Sequence, residues 1–208
     1  MFETGRVGPL EWAVAGSAFP GEDVSGDDWL VIDVAGHTLV GALDGLGHGA
    51  AAAAAAQQAK RNAIKNGAKP LDVLFELSHA VLDGTRGTAM TLARIDMSSG
   101  VLEWVGVGNV AAFLVRMDTM GARPFEAALL RGGILGVNPP PTPLRVRSTI
   151  MVPGDLLLFG TDGLSPGFED DLDLSVPTGE LVTDILERCA RNTDDALVLA
   201  VRNRAPSR

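Results

Sequence analysis

The chain has 208 residues, 46% of them apolar and 21% charged, which suits one globular domain with a substantial core. Its formal net charge of −9 argues against nucleic acid or an anionic membrane as partner, since both are polyanions. The single cysteine, Cys189, excludes an intrachain disulfide, Met1–Pro9 lacks the basic start and apolar stretch of a signal peptide, and no apolar run reaches bilayer length. The expectation is a cytoplasmic protein with residues 1–208 forming one domain.

In chain order, two β-branched runs, Trp29–Val34 and Thr38–Ala42, flank Ala35-Gly36-His37 and predict a hairpin. A helix is expected from His48 to about Asn66, closed by Gly67, and a second from Pro70 to about Leu82, closed by Asp83-Gly84. The alanines of Ala50–Ala56 favour helix and make a face small enough to lie close against a sheet. Thr88–Ile95 and Val101–Val107 predict strands around the turn Asp96–Gly100, and Val110–Arg116 extends them as the third strand of a meander. Met117–Gly136 reads as a surface loop. Leu144–Met151 and Leu156–Gly160 read as strands about a Pro153-Gly154 turn, and the acidic stretch Ser165–Pro177 as a second loop. A helix over Gly179–Arg191, holding Cys189, precedes a last strand, Ala196–Arg202. Segregated helices and meandering strands indicate an α+β protein, with two mainly antiparallel sheets carrying helices on their outer faces.

Four acidic positions fall at strand ends: Asp27, beside Asp28; Asp44 in Leu43-Asp44-Gly45; Asp162 in Thr161-Asp162-Gly163; and Asp194, beside Asp195. One Asp-Gly alone is a turn. Four carboxylates in this order can converge on one rim of a sheet sandwich, and oxygen ligands without a cysteine or histidine pair suit Mg²⁺ or Mn²⁺ rather than zinc. Glycine after Asp44 lets backbone approach an ion, which makes the Gly45 carbonyl a candidate ligand. The sequence leaves open which member of each doublet binds; Asp27 and Asp194 are preferred. His48 is either a proton donor near this rim or a helix-start residue beside two glycines, whereas His37, His79, Cys189, Thr88 and Asn109 are read as structural. Gly45-Leu46-Gly47-His48-Gly49 lacks the Lys-Ser/Thr ending of a P-loop, and nucleotide binding is set aside.

Gly26-Asp27-Asp28, Asp44-Gly45-Leu46-Gly47-His48-Gly49, Thr161-Asp162-Gly163 and Thr193-Asp194-Asp195 resemble, in order, the motifs of the metal-dependent protein phosphatases (PPM). The likeness is strongest to the compact bacterial branch of SpoIIE, RsbU and RsbX, and above all to the stressosome feedback phosphatase RsbX. It implies an αββα sandwich with two Mn²⁺ or Mg²⁺ ions at one end. Asp44 would bridge the metals, the Gly45 carbonyl would bind one, Asp162 and Asp194 would complete the first, and Asp27 would act near the second, partly through water. These four aspartates would be the catalytic set, hydrolysing phosphoserine or phosphothreonine on a partner protein such as a STAS-domain stressosome component. One departure is that eukaryotic members carry a phosphate-gripping arginine near the first acidic motif; here Asp23-Val24-Ser25-Gly26 precede it and the nearest upstream arginine is Arg6. The competing reading is a degenerate phosphatase fold that binds phosphoproteins as an adaptor. A small-molecule phosphoesterase is disfavoured, since 5% aromatic residues give little to line an enclosed pocket.

Overall fold

Strands that are apolar on both faces must be covered on both sides, and that requirement sets the layering of this chain. The computed structural model describes residues 1–118, 121–138 and 143–204. The elements run β1 (Phe2–Val7), β2 (Leu10–Ser17), β3 (Asp27–Val34), β4 (His37–Gly45), α1 (Ala50–Asn66), α2 (Leu71–Val81), β5 (Thr88–Asp96), β6 (Val101–Val107), β7 (Ala111–Asp118), β8 (Gly121–Ala127), β9 (Leu130–Arg131), β10 (Arg147–Ile150), β11 (Leu156–Gly160), α3 (Thr178–Cys189) and β12 (Ala196–Asn203). One sheet has the order β1-β2-β12-β11-β7-β8 and the other β10-β6-β5-β4-β3, antiparallel throughout, with β9 adding parallel to β6.

Three apolar layers result. Between the sheets, Val40, Ala42, Ala93 and Trp104 meet Val14, Leu114, Leu157 and Leu199. On the outer face of the second sheet, Ala55, Ala56, Ala59 and Ala63 of α1 and Leu74 and Phe75 of α2 pack on Leu30, Leu39, Leu43, Met90 and Leu92. The alanine run is the packing face that its composition implies. On the other side, Leu181, Val182 and Ile185 of α3, joined by Phe168 and Leu172, cover Ala13, Leu158, Val198 and Ala200. Each large aliphatic or aromatic side chain so buried contributes about 1.5–3 kcal/mol before chain entropy is charged against it. The architecture is the expected αββα sandwich. Among the described residues, no helix is long and apolar enough to cross a membrane.

The structure departs from the sequence reading in four places. The β3–β4 hairpin turns on two residues, Ala35 and Gly36, both at positive φ, so His37 already pairs with Val34. The hairpin of β1 and β2 was not expected: Gly5, Gly8 and Gly16 interrupt its alternation, and β1 is an exposed edge strand. The Val110–Arg116 run is a strand, but it leaves the meander: β7 pairs with β11 and β8 in the other sheet. The crossing is fastened where Thr91 Oγ1 donates to the Val110 carbonyl at 2.6 Å. Within Met117–Gly136, Gly121–Ala127 forms edge strand β8, whose Pro124 pairs with Val115 beside a register shift, while residues 119–120 lie outside the described residues.

Candidate active site

Asp27 and Asp44 face each other as a ladder pair where β3 begins and β4 ends. Strand alternation sends the two members of the first doublet to opposite faces. Trp29 and Val31 pack into the layer between the sheets, and Asp27 shares their face. Leu30 and Ile32 pack under the helices, and Asp28 shares theirs, where its carboxylate is 2.7 Å from Lys60 Nζ of α1 and accepts from its neighbour's N–H. Asp28 is therefore neutralised away from the rim.

Two more carboxylates come from the other sheet. Asp162 follows β11 and Asp194 precedes β12, strands that are antiparallel neighbours, so the end of one lies beside the start of the other. Here too the doublet divides its work. Asp195 is 2% exposed, and its two oxygens accept from the backbone N–H groups of Phe19 and Gly26, each at 2.8 Å, tying the β2–β3 connection down. Asp194 is half-buried and bears electrostatically on Asp44 and Asp162.

Asp28 and Asp195 are thus each engaged with partners of their own. Among the described residues no lysine or arginine side chain forms an ion pair with Asp27, Asp44, Asp162 or Asp194. The cost is visible in their proton affinities. Burial, followed by the charges of Asp162 and Asp194, pushes the Asp44 carboxyl up to about 7. Burial and then the Asp44 charge hold Asp27 well above the usual range, and burial with the Asp194 charge raises Asp162. As they stand the carboxylates are separate: among the described residues, no three acidic, histidine or cysteine side chains are close enough together to hold an ion.

The loops beside these residues are tightly built. A side chain at Gly45 would run into the Ala52 carbonyl, and one at Gly163 into the Asp195 carbonyl, so both Asp-Gly glycines are fixed by close approach of another segment. His48 is exposed; its Nδ1 donates to Glu22 Oε1 at 2.7 Å and its ring stacks on Phe19 at 4.5 Å, which joins the helix entry to the β2–β3 connection. His37 and His79 hold backbone groups of Gly67 and Gly136, as their structural reading anticipated.

Three site residues were not anticipated. Asn109 donates to Asp162 Oδ2 at 2.6 Å and opposes the rise in both Asp162 and Asp44. Thr161 Oγ1 donates to Asp27 Oδ2 at 2.7 Å while accepting from the Leu197 N–H at 2.9 Å, so one hydroxyl joins the two sheets beneath the rim. Arg191 donates to the carbonyls of Asp162 and Leu164 and its charge partly offsets that of the Asp162 carboxylate. A groove of about 740 Å³ between β1 and α3, lined by Phe2, Trp12 and Pro177, contains none of the four rim carboxylates.

Residues 35–206 match the family model of stage II sporulation protein E, SpoIIE. A chain solved in work on the bacterial stressosome, as a modular system adapted to control secondary-messenger signalling, is 32% identical over 93% of this chain and 99% of its own, with a TM-score of 0.82. RsbX in complex with magnesium is 18% identical over 97% of this chain and 98% of its own, TM-score 0.81. The catalytic domain of the serine/threonine protein phosphatase PstP, in complex with two manganese ions, is 18% identical over 94% and 99%, TM-score 0.68. The chain belongs to the SpoIIE family, the branch of PP2C-type protein serine/threonine phosphatases that includes RsbX.

Proposed function

We propose that residues 1–208 act as one phosphatase domain that removes phosphate from phosphoserine or phosphothreonine of a partner protein, with Asp27, Asp44, Asp162 and Asp194 as its catalytic, metal-holding residues. The observation that carries this reading is that Asp27 and Asp44 from one sheet and Asp162 and Asp194 from the other stand at neighbouring strand ends, with no lysine or arginine ion-paired to any of them among the described residues; burial and the charges of Asp162 and Asp194 push the Asp44 carboxyl up to about 7. Such a set is unfavourable alone and becomes favourable around a hard divalent ion. The donors fit Mn²⁺ or Mg²⁺: they are oxygens only, and Asn109 and Thr161 hold two of them by hydrogen bonds.

Asp44 would serve both of two ions and the Gly45 carbonyl one of them, while Asp162 and Asp194 would help hold the first and Asp27 would act near the second, in part through water. Divalent cations held there supply polarisation of the phosphoryl oxygens and a water of lowered pKa as nucleophile. The chain's own part is orientation. Asn109 fixes one Asp162 oxygen, and Thr161 fixes Asp27 to the opposing sheet. RsbX with magnesium and PstP with manganese support the choice of ion. The 32%-identical chain from stressosome work supports phosphorylated stressosome proteins as the substrate class, of which STAS-domain components are the ones we propose.

The test is phosphate release from p-nitrophenyl phosphate and from a phosphorylated STAS-domain protein, using chelator-treated protein with and without Mn²⁺, for wild type and Asp44→Asn. Release that requires Mn²⁺ and disappears in the variant is expected. No release from either substrate at high Mn²⁺, with phosphoprotein binding retained, would replace the enzyme by an adaptor.

A further inference from the structure

A phosphoryl dianion approaching a rim of carboxylates on a chain of net charge −9 needs a cation of its own, beyond whatever the carboxylates hold. The nearby basic side chains are mostly engaged: Lys60 pairs with Asp28, and Arg191 donates to the carbonyls of Asp162 and Leu164. Arg86 differs. It lies between α2 and β5, is exposed, and has no hydrogen bond or ion pair among the described residues.

Its position follows from the β4–β5 ladder. Gly45 pairs with Thr88, and one step further the Leu46 N–H donates to the Gly87 carbonyl at 3.0 Å, which brings Arg86 opposite Gly47. The guanidinium lies over that glycine: a Cβ added at Gly47 would stand 2.8 Å from Arg86 Nη1. The head group therefore sits beside the loop that leaves Asp44 and Gly45. The backbone carrying it is fixed. Thr85 Oγ1 donates to the Leu82 carbonyl at 2.6 Å and accepts from the Gly87 N–H at 3.0 Å, while a side chain at Gly87 would meet Ile134 and the Leu135 carbonyl. A rigid turn thus presents a free, planar, two-pronged donor of the kind that binds phosphate oxygens in pairs.

We propose that Arg86 binds the phosphoryl group of the substrate, holding it over the loop at Gly47 as it meets the rim carboxylates. The proposal rests on the phosphatase reading and supplies the anion contact that Asp23-Val24-Ser25-Gly26 does not offer.

The experiment compares wild type, Arg86→Ala and Arg86→Lys as full chains with Mn²⁺. It reads KM for a phosphothreonine peptide, competitive inhibition by inorganic phosphate, calorimetric phosphate binding, and Mn²⁺ affinity from the electron paramagnetic resonance of free Mn²⁺. Arg86→Ala should weaken phosphate binding and raise KM about tenfold or more while leaving Mn²⁺ affinity unchanged, and Arg86→Lys should recover part of the loss. Phosphate binding and KM within about twofold of wild type in Arg86→Ala would overturn the assignment, as would a matching loss of Mn²⁺ affinity. If wild type turns over nothing, the phosphatase reading falls and the calorimetry still decides: phosphate binding that Arg86→Ala abolishes upholds an anion site, and binding that survives the substitution, or is absent from wild type, overturns it.

Discussion

Replacing Asp44 with Asn should stabilise the metal-free fold while removing its response to metal. In metal-free protein the Asp44 carboxyl stands at about 7 against an ordinary 3.8, through burial first and then the charges of Asp162 and Asp194. A carboxyl raised in the folded state favours folding while it is protonated. Its contribution is fully present below the ordinary value and is lost as pH rises through about 7. The complete loss amounts to about 4 kcal/mol. Asparagine removes the charge but leaves a buried amide to be desolvated, so about half of that, ~2 kcal/mol, should return. For a chain of this size it corresponds to a rise in Tm of about 4–8 °C. The assay is calorimetric melting of wild type and Asp44→Asn in chelator, at about pH 8 and about pH 5. The variant should melt higher at the alkaline pH and equally at the acidic one. Added Mn²⁺ should then raise the wild-type midpoint and leave that of the variant unmoved. A variant that is less stable at alkaline pH, or that gains as much at acidic pH, would refute the electrostatic account.

The two members of the first doublet should separate cleanly. Asp27→Asn should weaken Mn²⁺ binding at least about tenfold by calorimetry, whereas Asp28→Asn should leave it unchanged and cost about 1 kcal/mol or less through the lost Lys60 pair; the reverse pattern would exchange their roles. Asn109→Ala removes the 2.6 Å donor that opposes protonation of Asp162 and Asp44, so the pH at which Mn²⁺ affinity reaches half its plateau should move upward; a titration unchanged from wild type would show the bond to be idle. Gly45→Ala drives a methyl into the Ala52 carbonyl and should cost about 2–4 kcal/mol in urea unfolding, and an unmoved midpoint would mean that α1 is free to retreat.

Asp27, Asp44, Asp162 and Asp194 are visible in the sequence because each sits where an apolar run meets a turn, and that boundary is a local property. The doublets are harder. Alternation normally identifies the inward member, but β3 is apolar on both faces, with Trp29 and Val31 on one and Leu30 and Ile32 on the other, so polarity alone carries no signal. Lys60 resolves Asp28 only once α1 lies across that face, a contact 32 residues distant. Asn109 is hidden for a similar reason: on the strand meander it reads as a structural residue, and its partner Asp162 comes from 53 residues away. The fold shows the same limit. The helices and most strands announce themselves by period and caps, yet which sheet receives β7 depends on pairing with β11, which no local pattern near residue 111 encodes. Edge strands β1 and β8 carry glycine and proline because an unpaired edge tolerates them, and those residues erase the strand pattern.

The division of the rim between the two sheets has a mechanical consequence. Asp27 and Asp44 ride on one sheet and Asp162 and Asp194 on the other, so the four form two jaws separated by the apolar filling behind them. Thr161 reaching Asp27, and Asp195 gripping the connection between the sheets, clasp the jaws at their open end. A change in the thickness of the central layer, at Leu157 or Trp104 for instance, alters the gap between the jaws without touching a carboxylate. The core is in that sense the gauge of the candidate site: substitutions that keep the fold but swell or thin the filling should be felt first as altered spacing at the rim.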